Sequence, residues 1–196
     1  MESVRLVLAS GSTRRAELLR TAGMFFDAIP AGVHEAMDSE ETPDGYVRRV
    51  AQLKAEAVWS RAAGRPVLGA ETVVLVDNHV LGKPQDGDEA RRMLRMLSGR
   101  GHLVMTGICL IAPAAASGRA QMSVSRTKVE LSALTDEEIA WYVATGEPID
   151  HVGAYAIQGL AVRFVTRVEG SWSNVLGLPI EAVYDLCKRA GLLTLN

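Results

Sequence analysis

The chain has 196 residues, 48% of them hydrophobic and 22% charged, with a formal net charge of −2. This composition predicts one large domain over residues 1–196 with a buried core, and it excludes a disordered chain. The small net charge excludes a binder of nucleic-acid polymer held by bulk electrostatics, and it points to a small charged ligand recognised locally.

The sequence opens on a strand-like run of Val4, Leu6, Val7 and Leu8. Small hydroxyl and glycine residues and then two arginines follow, Ser10-Gly11-Ser12-Thr13-Arg14-Arg15. Residues 14–20 read as the first turns of a helix capped by Ser12 or Thr13, so the loop's N–H groups lie where a phosphate is welcome, and the arginines add fork-shaped donors. Ordinary turn chemistry would look the same, so this motif needs support downstream. Residues 24–29 read as a short strand. Residues 43–63 read as a long helix whose Val47, Val50, Leu53, Ala57 and Val58 form one buried stripe with Lys54 near it.

Residues 67–76, rich in β-branched side chains, predict a central strand, and Asp77-Asn78 turns it into a short strand at Val80-Leu81. Gly82-Lys83-Pro84 follows. An amphipathic helix over 86–97 leads to strands at 102–111 and 120–131, joined by a Pro, Ala, Ser and Gly loop over 112–120. Thr135 with Glu138 predicts a capping box opening a helix to residue 144. Residues 153–157 and 161–168 read as strands flanking Gln158-Gly159, and Pro179 starts a last helix to residue 189 with Gly191 behind it. Strands mixed with helices, some joined by hairpins, predict an α/β fold on a mixed, twisted sheet flanked by helices.

Five polar residues stand beside apolar or glycine-rich segments: Glu35, Lys54, Glu71, Lys83 and Gln158. Glu71 is the sharpest, because Leu68-Gly69-Ala70 before it and Thr72-Val73-Val74 after it place a carboxylate near a sheet interior. A charge there needs a partner, a metal or a reaction. The competing reading is an edge-strand glutamate facing water. Lys54 either snorkels to solvent or faces a ligand. Lys83 either reaches a phosphate or decorates a turn, Glu35 is either a metal ligand or solvated, and Gln158 reads a base edge or bonds nearby backbone. Cys109 and Cys187 form neither a disulfide framework nor a zinc spacing and are expected as buried thiols. The four histidines show no paired helical spacing, and there is no Walker loop and no Gly-x-Ser-x-Gly elbow, so Ser10 and Ser12 read as phosphate donors. No basic segment precedes a long apolar core, and residues 103–116 are too short and too interrupted to span a bilayer, which predicts a cytoplasmic protein without membrane contact.

Several segments fit one pattern in order: Leu8-Ala9-Ser10-Gly11-Ser12-Thr13-Arg14-Arg15, Gly69-Ala70-Glu71-Thr72-Val73-Val74, Leu81-Gly82-Lys83-Pro84, Leu97-Ser98-Gly99 with His102 and Thr106-Gly107, Gly153-Ala154-Tyr155-Ala156-Ile157-Gln158-Gly159, and Asn174-Val175-Leu176-Gly177-Leu178-Pro179. Together they resemble the Maf family of nucleoside triphosphate pyrophosphatases over nearly the whole chain, and Ile157-Gln158-Gly159 is similar to the branch acting on dTTP and UTP.

The resemblance implies an elongated α/β fold with two lobes around a cleft, often dimeric. It also implies hydrolysis of a nucleoside triphosphate between its α- and β-phosphates, with Mg²⁺ or Mn²⁺ as cofactor. By the same resemblance Glu71 matches the proton acceptor and Arg14, Thr72 and Gln158 match positions linked to specificity. Ser10, Arg15, Glu35, Lys54 and Lys83 align with the rest of the polar pocket. Glu71 with Glu35 is the pair expected to hold the metal. Position 71 is usually aspartate in the family, and the extra methylene here moves the carboxylate by about 1 Å. His34 and His151 stand where the family often has aspartate and lysine. These departures give the alternative its content, a nucleotide-binding regulator with weakened catalysis; a scaffold with a vestigial site ranks third.

Overall fold

A computed structural model describes residues 5–113 and 120–192; Val4 and residues 114–119 of the expected loop lie outside the described residues. The described chain runs β1 (Leu6–Leu8), α1 (Thr13–Thr21), β2 (Phe26–Ala28), α2 (Pro43–Trp59), β3 (Val67–Val76), β4 (His79–Leu81), α3 (Gly87–Leu97), β5 (Gly101–Ile111), β6 (Gln121–Leu131), α4 (Asp136–Ala144), β7 (Val165–Glu169), α5 (Trp172–Val175) and α6 (Ile180–Arg189). The strands form a sheet of order β2-β1-β3-β5-β6-β7, with β4 on β3. Strand β1 is parallel to β2 and β3, whereas β3/β4 and β6/β7 are antiparallel. The fold is therefore mixed α/β, as expected.

The chain divides into two compact units, one of residues 1–71, 106–125 and 177–196, the other of residues 72–105 and 126–176. In the first, strand alternation sorts side chains onto two faces. Leu6, Leu8, Leu68, Ala70, Ile108 and Leu110 pack with Ala16 and Leu19 of α1 and Val183, Leu186 and Cys187 of α6. Val7, Ala9, Val67 and Cys109 pack instead with Ala51, Ala55 and Val58 of α2. Both thiols are buried and free, and burial pushes Cys109 up to about 12 and Cys187 to about 11. In the second unit α3 packs on α4; Ala90, Met93, Leu94 and Leu97 are the buried residues of α3, and Ile139, Tyr142 and Val143 those of α4.

Helix α2 corrects the expected stripe and end. Its buried positions are Tyr46, Val47, Val50, Ala51, Lys54, Ala55 and Val58, while Leu53 is 36% exposed and Ala57 faces out. The helix stops at Trp59 rather than residue 63: the Arg61 and Ala62 N–H groups bond three residues back, to the Val58 and Trp59 carbonyls, and the chain then turns through left-handed backbone at Ala63 (φ 51°) and Gly64 (φ 76°). Two glycines explain the phase. A Cβ on Gly69 of β3 would lie 2.1 Å from the Ala51 carbonyl oxygen, and one on Gly107 of β5 would lie 2.3 Å from that of Val47, one turn earlier. The helix backbone thus rests directly on the sheet at both contacts, which turns Lys54 inward. Gly69→Ala is expected to destabilise the chain by about 1–3 kcal/mol or more, since the obstacle is backbone and cannot swing away. Urea unfolding would measure it, and an unchanged midpoint would contradict the close contact.

The expected strands at 153–157 and 161–168 are also corrected. Residues 152–154 and 160–164 form short 3₁₀ turns, and only Val165–Glu169 is strand. Gly153 (φ 72°) and Ala154 (φ 62°) both sit in the left-handed region, which no strand accommodates. No helix among the described residues is long and apolar enough to cross a membrane.

Candidate active site

The loop between β1 and α1 folds as its hydroxyls suggest. Ser12 is the N-cap of α1 and its Oγ accepts the Arg15 N–H at 3.4 Å, while the Ser10 Oγ accepts the Ser12 N–H at 3.1 Å. Arg15 is turned inward: its Nε donates to the Gly177 carbonyl at 2.8 Å and its Nη1 to the Ser10 Oγ at 3.3 Å. Burial lowers the Arg15 pKa, the charges of Glu71 and Glu35 counter that effect, and Arg14 adds to it. Arg14 itself is half-buried on the first turn of α1. A guanidinium remains charged through such shifts, so this loop carries fixed positive charge at a helix N-terminus.

Glu71 and Lys54 meet across the α2 contact. Glu71 shares a β3 face with Gly69, two residues before it, where α2 lies closest, and Lys54 follows Ala51 by three residues on that helix. The Lys54 Nζ donates to the Glu71 Oε2 at 2.5 Å and lies 2.8 Å from the Glu35 Oε1. Glu71 is 8% exposed and Lys54 7%, so neither the water-facing glutamate nor the snorkelling lysine describes them. Glu35 is exposed, and its loop is tied to α2: the Tyr46 hydroxyl donates to the Glu35 carbonyl at 2.7 Å, and Arg49 donates to the Ala36 carbonyl at 2.9 Å. Burial pushes the Tyr46 phenol up to about 12, with Glu71 and Glu35 adding to the effect, so it stays a donor. Two of the three Lys54 N–H donors thus go to carboxylates, and the third has no partner among the described residues.

Ser10, Arg15, Glu35, Lys54 and Glu71 all belong to the first unit, as does Arg14, whereas Thr72, Lys83 and Gln158 belong to the second. Thr72 is buried and, one residue past Glu71, points to the opposite face of β3. Lys83 is exposed, its Nζ 3.6 Å from the Asp150 Oδ1. Gln158 is exposed on the turn after Ile157. Within the second unit His102 is buried, with its Nε2 2.8 Å from the Tyr155 hydroxyl, and burial lowers it to about 4. His151 Nδ1 lies 2.8 Å from the Glu147 carbonyl. Sequence reasoning missed Tyr46, although it sits eight residues before Lys54 on the same helical stripe. It also missed Glu147, which follows a helix stop and carries no local signal.

The profile of the family described as Maf-like protein matches residues 5–190. The chain belongs to the Maf family. Among its Maf relatives, the "dTTP/UTP pyrophosphatase" of Koribacter versatilis (strain Ellin345) is 48% identical over 188 residues, 96% of this chain and 95% of that protein. The protein of the same name from Anaeromyxobacter dehalogenans (strain 2CP-C) is 50% identical over 187 residues, covering 95% and 94%. That of Syntrophus aciditrophicus (strain SB) is 42% identical over 196 residues, covering 100% and 95%. A solved structure titled "The structure of the Staphylococcus aureus Ham1 protein" superposes with a TM-score of 0.50 at 12% identity, over 94% of this chain and 98% of that one. At that identity the likeness speaks for a shared fold, which the Maf chain's mixed sheet bears out.

Proposed function

We propose that this protein hydrolyses dTTP, UTP or related nucleoside triphosphates to the monophosphate and pyrophosphate. The observation that carries the reading is the buried Glu71 carboxylate held by Lys54 beside the inward Arg15, in a chain about half identical to relatives bearing that activity in their names. In this mechanism Arg15, Ser10 and Lys54 grip the phosphate oxygens, with Arg14 and Lys83 adding positive charge. Glu71 takes a proton from the water that attacks the α-phosphorus, the new P–O bond forms, and the α–β bridge breaks with its electron pair leaving on pyrophosphate. Thr72 and Gln158 are assigned to nucleotide selection; an exposed amide both donates to and accepts from a base edge. We assign this chemistry to one domain, and the family resemblance implies a homodimer.

A divalent cation fits these residues. Lys54 engages the Glu35 Oε1 and the Glu71 Oε2, which leaves the second oxygen of each carboxylate to hold a cation. Mg²⁺ and Mn²⁺ favour oxygen ligands, and Mg²⁺ is typically held by one or two carboxylates plus substrate phosphates. Among the described residues no group of three or more His, Cys, Asp or Glu could hold a metal ion alone, so the substrate phosphates would have to complete its set of ligands. When bound, the cation supplies charge that stabilises the phosphoryl oxygens.

The test is a pyrophosphate-release assay on dTTP, UTP, CTP and modified nucleotides with Mg²⁺ or Mn²⁺. Release with monophosphate as co-product, fastest on dTTP or UTP, is expected. Nucleotide binding without release would favour the regulator.

A further inference from the structure

The turn that carries Gln158 is built around a single carboxylate. The Glu147 Oε2 accepts the Leu160 N–H at 3.0 Å and its Oε1 accepts the Ala161 N–H at 3.4 Å, so Glu147 caps the 3₁₀ turn that starts two residues after Gln158. The Tyr142 hydroxyl donates to the Glu147 Oε1 at 2.7 Å and accepts the Ala156 N–H at 3.0 Å, two residues before Gln158. The Gln158 segment is thus fastened on both sides through one Tyr142–Glu147 pair. Burial first, and the bond to Glu147 second, raise the Tyr142 phenol well above its ordinary range, which keeps it a donor. Gly159 is part of the same construction. A Cβ there would lie 2.3 Å from the Glu147 Oε2, so only glycine lets the carboxylate reach under the turn. All of these residues belong to one unit.

We propose that Glu147, braced by Tyr142, is a positioning residue for nucleobase selection: it acts through Gln158 by fixing the turn from which that amide meets the base. The inference rests on the pyrophosphatase reading and deepens it. The Glu147 carboxylate is taken up by the Leu160 and Ala161 N–H groups and the Tyr142 hydroxyl, so its action passes through the turn. Its carboxylate replaces water as acceptor for two backbone N–H groups, so the amide is held in place before the nucleotide arrives, and little ordering is left to be done on binding.

The experiment measures kcat and KM for UTP and CTP in the full chain and in Glu147→Gln, Gln158→Ala and the double variant. Glu147→Gln is expected to reduce the preference for UTP over CTP by about tenfold, the size of one or two displaced hydrogen bonds. The change should appear in KM for UTP and not in kcat. In the Gln158→Ala background Glu147→Gln should then add nothing, because its route of action is gone. Gly159→Ala, which crowds the carboxylate while leaving Glu147 in place, should reproduce the loss and guards against a misfolded Glu147→Gln protein. Equal falls in kcat on both nucleotides, or multiplying effects in the double variant, would overturn the inference. If Gln158→Ala keeps the full preference while hydrolysis persists, the inference fails and the pyrophosphatase reading stands; if the unaltered chain releases no pyrophosphate, both fail.

Discussion

Glu71→Gln lowers kcat for pyrophosphate release by about 10²–10⁴, the range for loss of a positioned general base. The substitution keeps the side chain's size and one carbonyl oxygen facing Lys54, and it leaves the Lys54–Glu35 pair at 2.8 Å untouched. The lysine therefore stays in place, and the Arg15 and Ser10 contacts, which do not pass through Glu71, persist. Nucleotide affinity should accordingly stay within a few-fold, measured by calorimetry with UTP and no added divalent cation. Glu71→Asp is the informative companion: it retracts the carboxylate by about 1 Å from a lysine now 2.5 Å away, and displacements of that size cost up to about 100-fold. Full turnover in Glu71→Gln would assign the base elsewhere. Equal loss of binding and rate would make Glu71 a structural partner of Lys54 and nothing more.

The elements that the sequence predicts well are those whose signals are local. Ser12 caps α1, Thr135 and Glu138 close a capping box on α4, and β3 runs over the expected residues 67–76. Glu71 was readable for the same reason, since apolar neighbours on both sides leave a strand carboxylate facing inward. Lys54 was harder, because a lysine beside Leu53 looks like the border of a stripe. Only Gly69 and Gly107, on two different strands, fix the rotation of α2 that buries Lys54 and exposes Leu53. Such sockets are pairings between distant segments and leave no periodicity to detect. Of the strands expected at 153–157 and 161–168, only 165–168 is strand. Apolar alternation suits a strand throughout, but left-handed backbone at Gly153 and Ala154 and the long-range capping by Glu147 hold the rest as turns. The misread stretches thus border two proposed functional residues, Lys54 and Gln158, where tertiary contacts outweigh local propensity.

Removing the lysine has the opposite signature from removing the glutamate. In Lys54→Met the Glu71 carboxylate, its side chain 11% exposed, keeps its burial and loses the ammonium, while Glu35, 48% exposed, simply turns to water. Stranding one member of a buried pair costs about 3–5 kcal/mol. Lys54→Met is therefore expected to lower the unfolding free energy by that amount in urea, well beyond the effect of Glu71→Gln, whose partner lysine still has Glu35. The double variant Lys54→Met/Glu71→Met then separates charge from shape. With both charges gone and similar volume in place, most of the lost stability should return, because an apolar pair in a buried position is often as stable as the ion pair it replaces. Turnover should not return, since the ammonium and the base are both absent. A double variant as unstable as Lys54→Met would mean that the lysine stabilises α2 by packing its stem rather than by neutralising Glu71. The pair would then be an accident of the fold, and the asymmetry between the single variants would vanish with it.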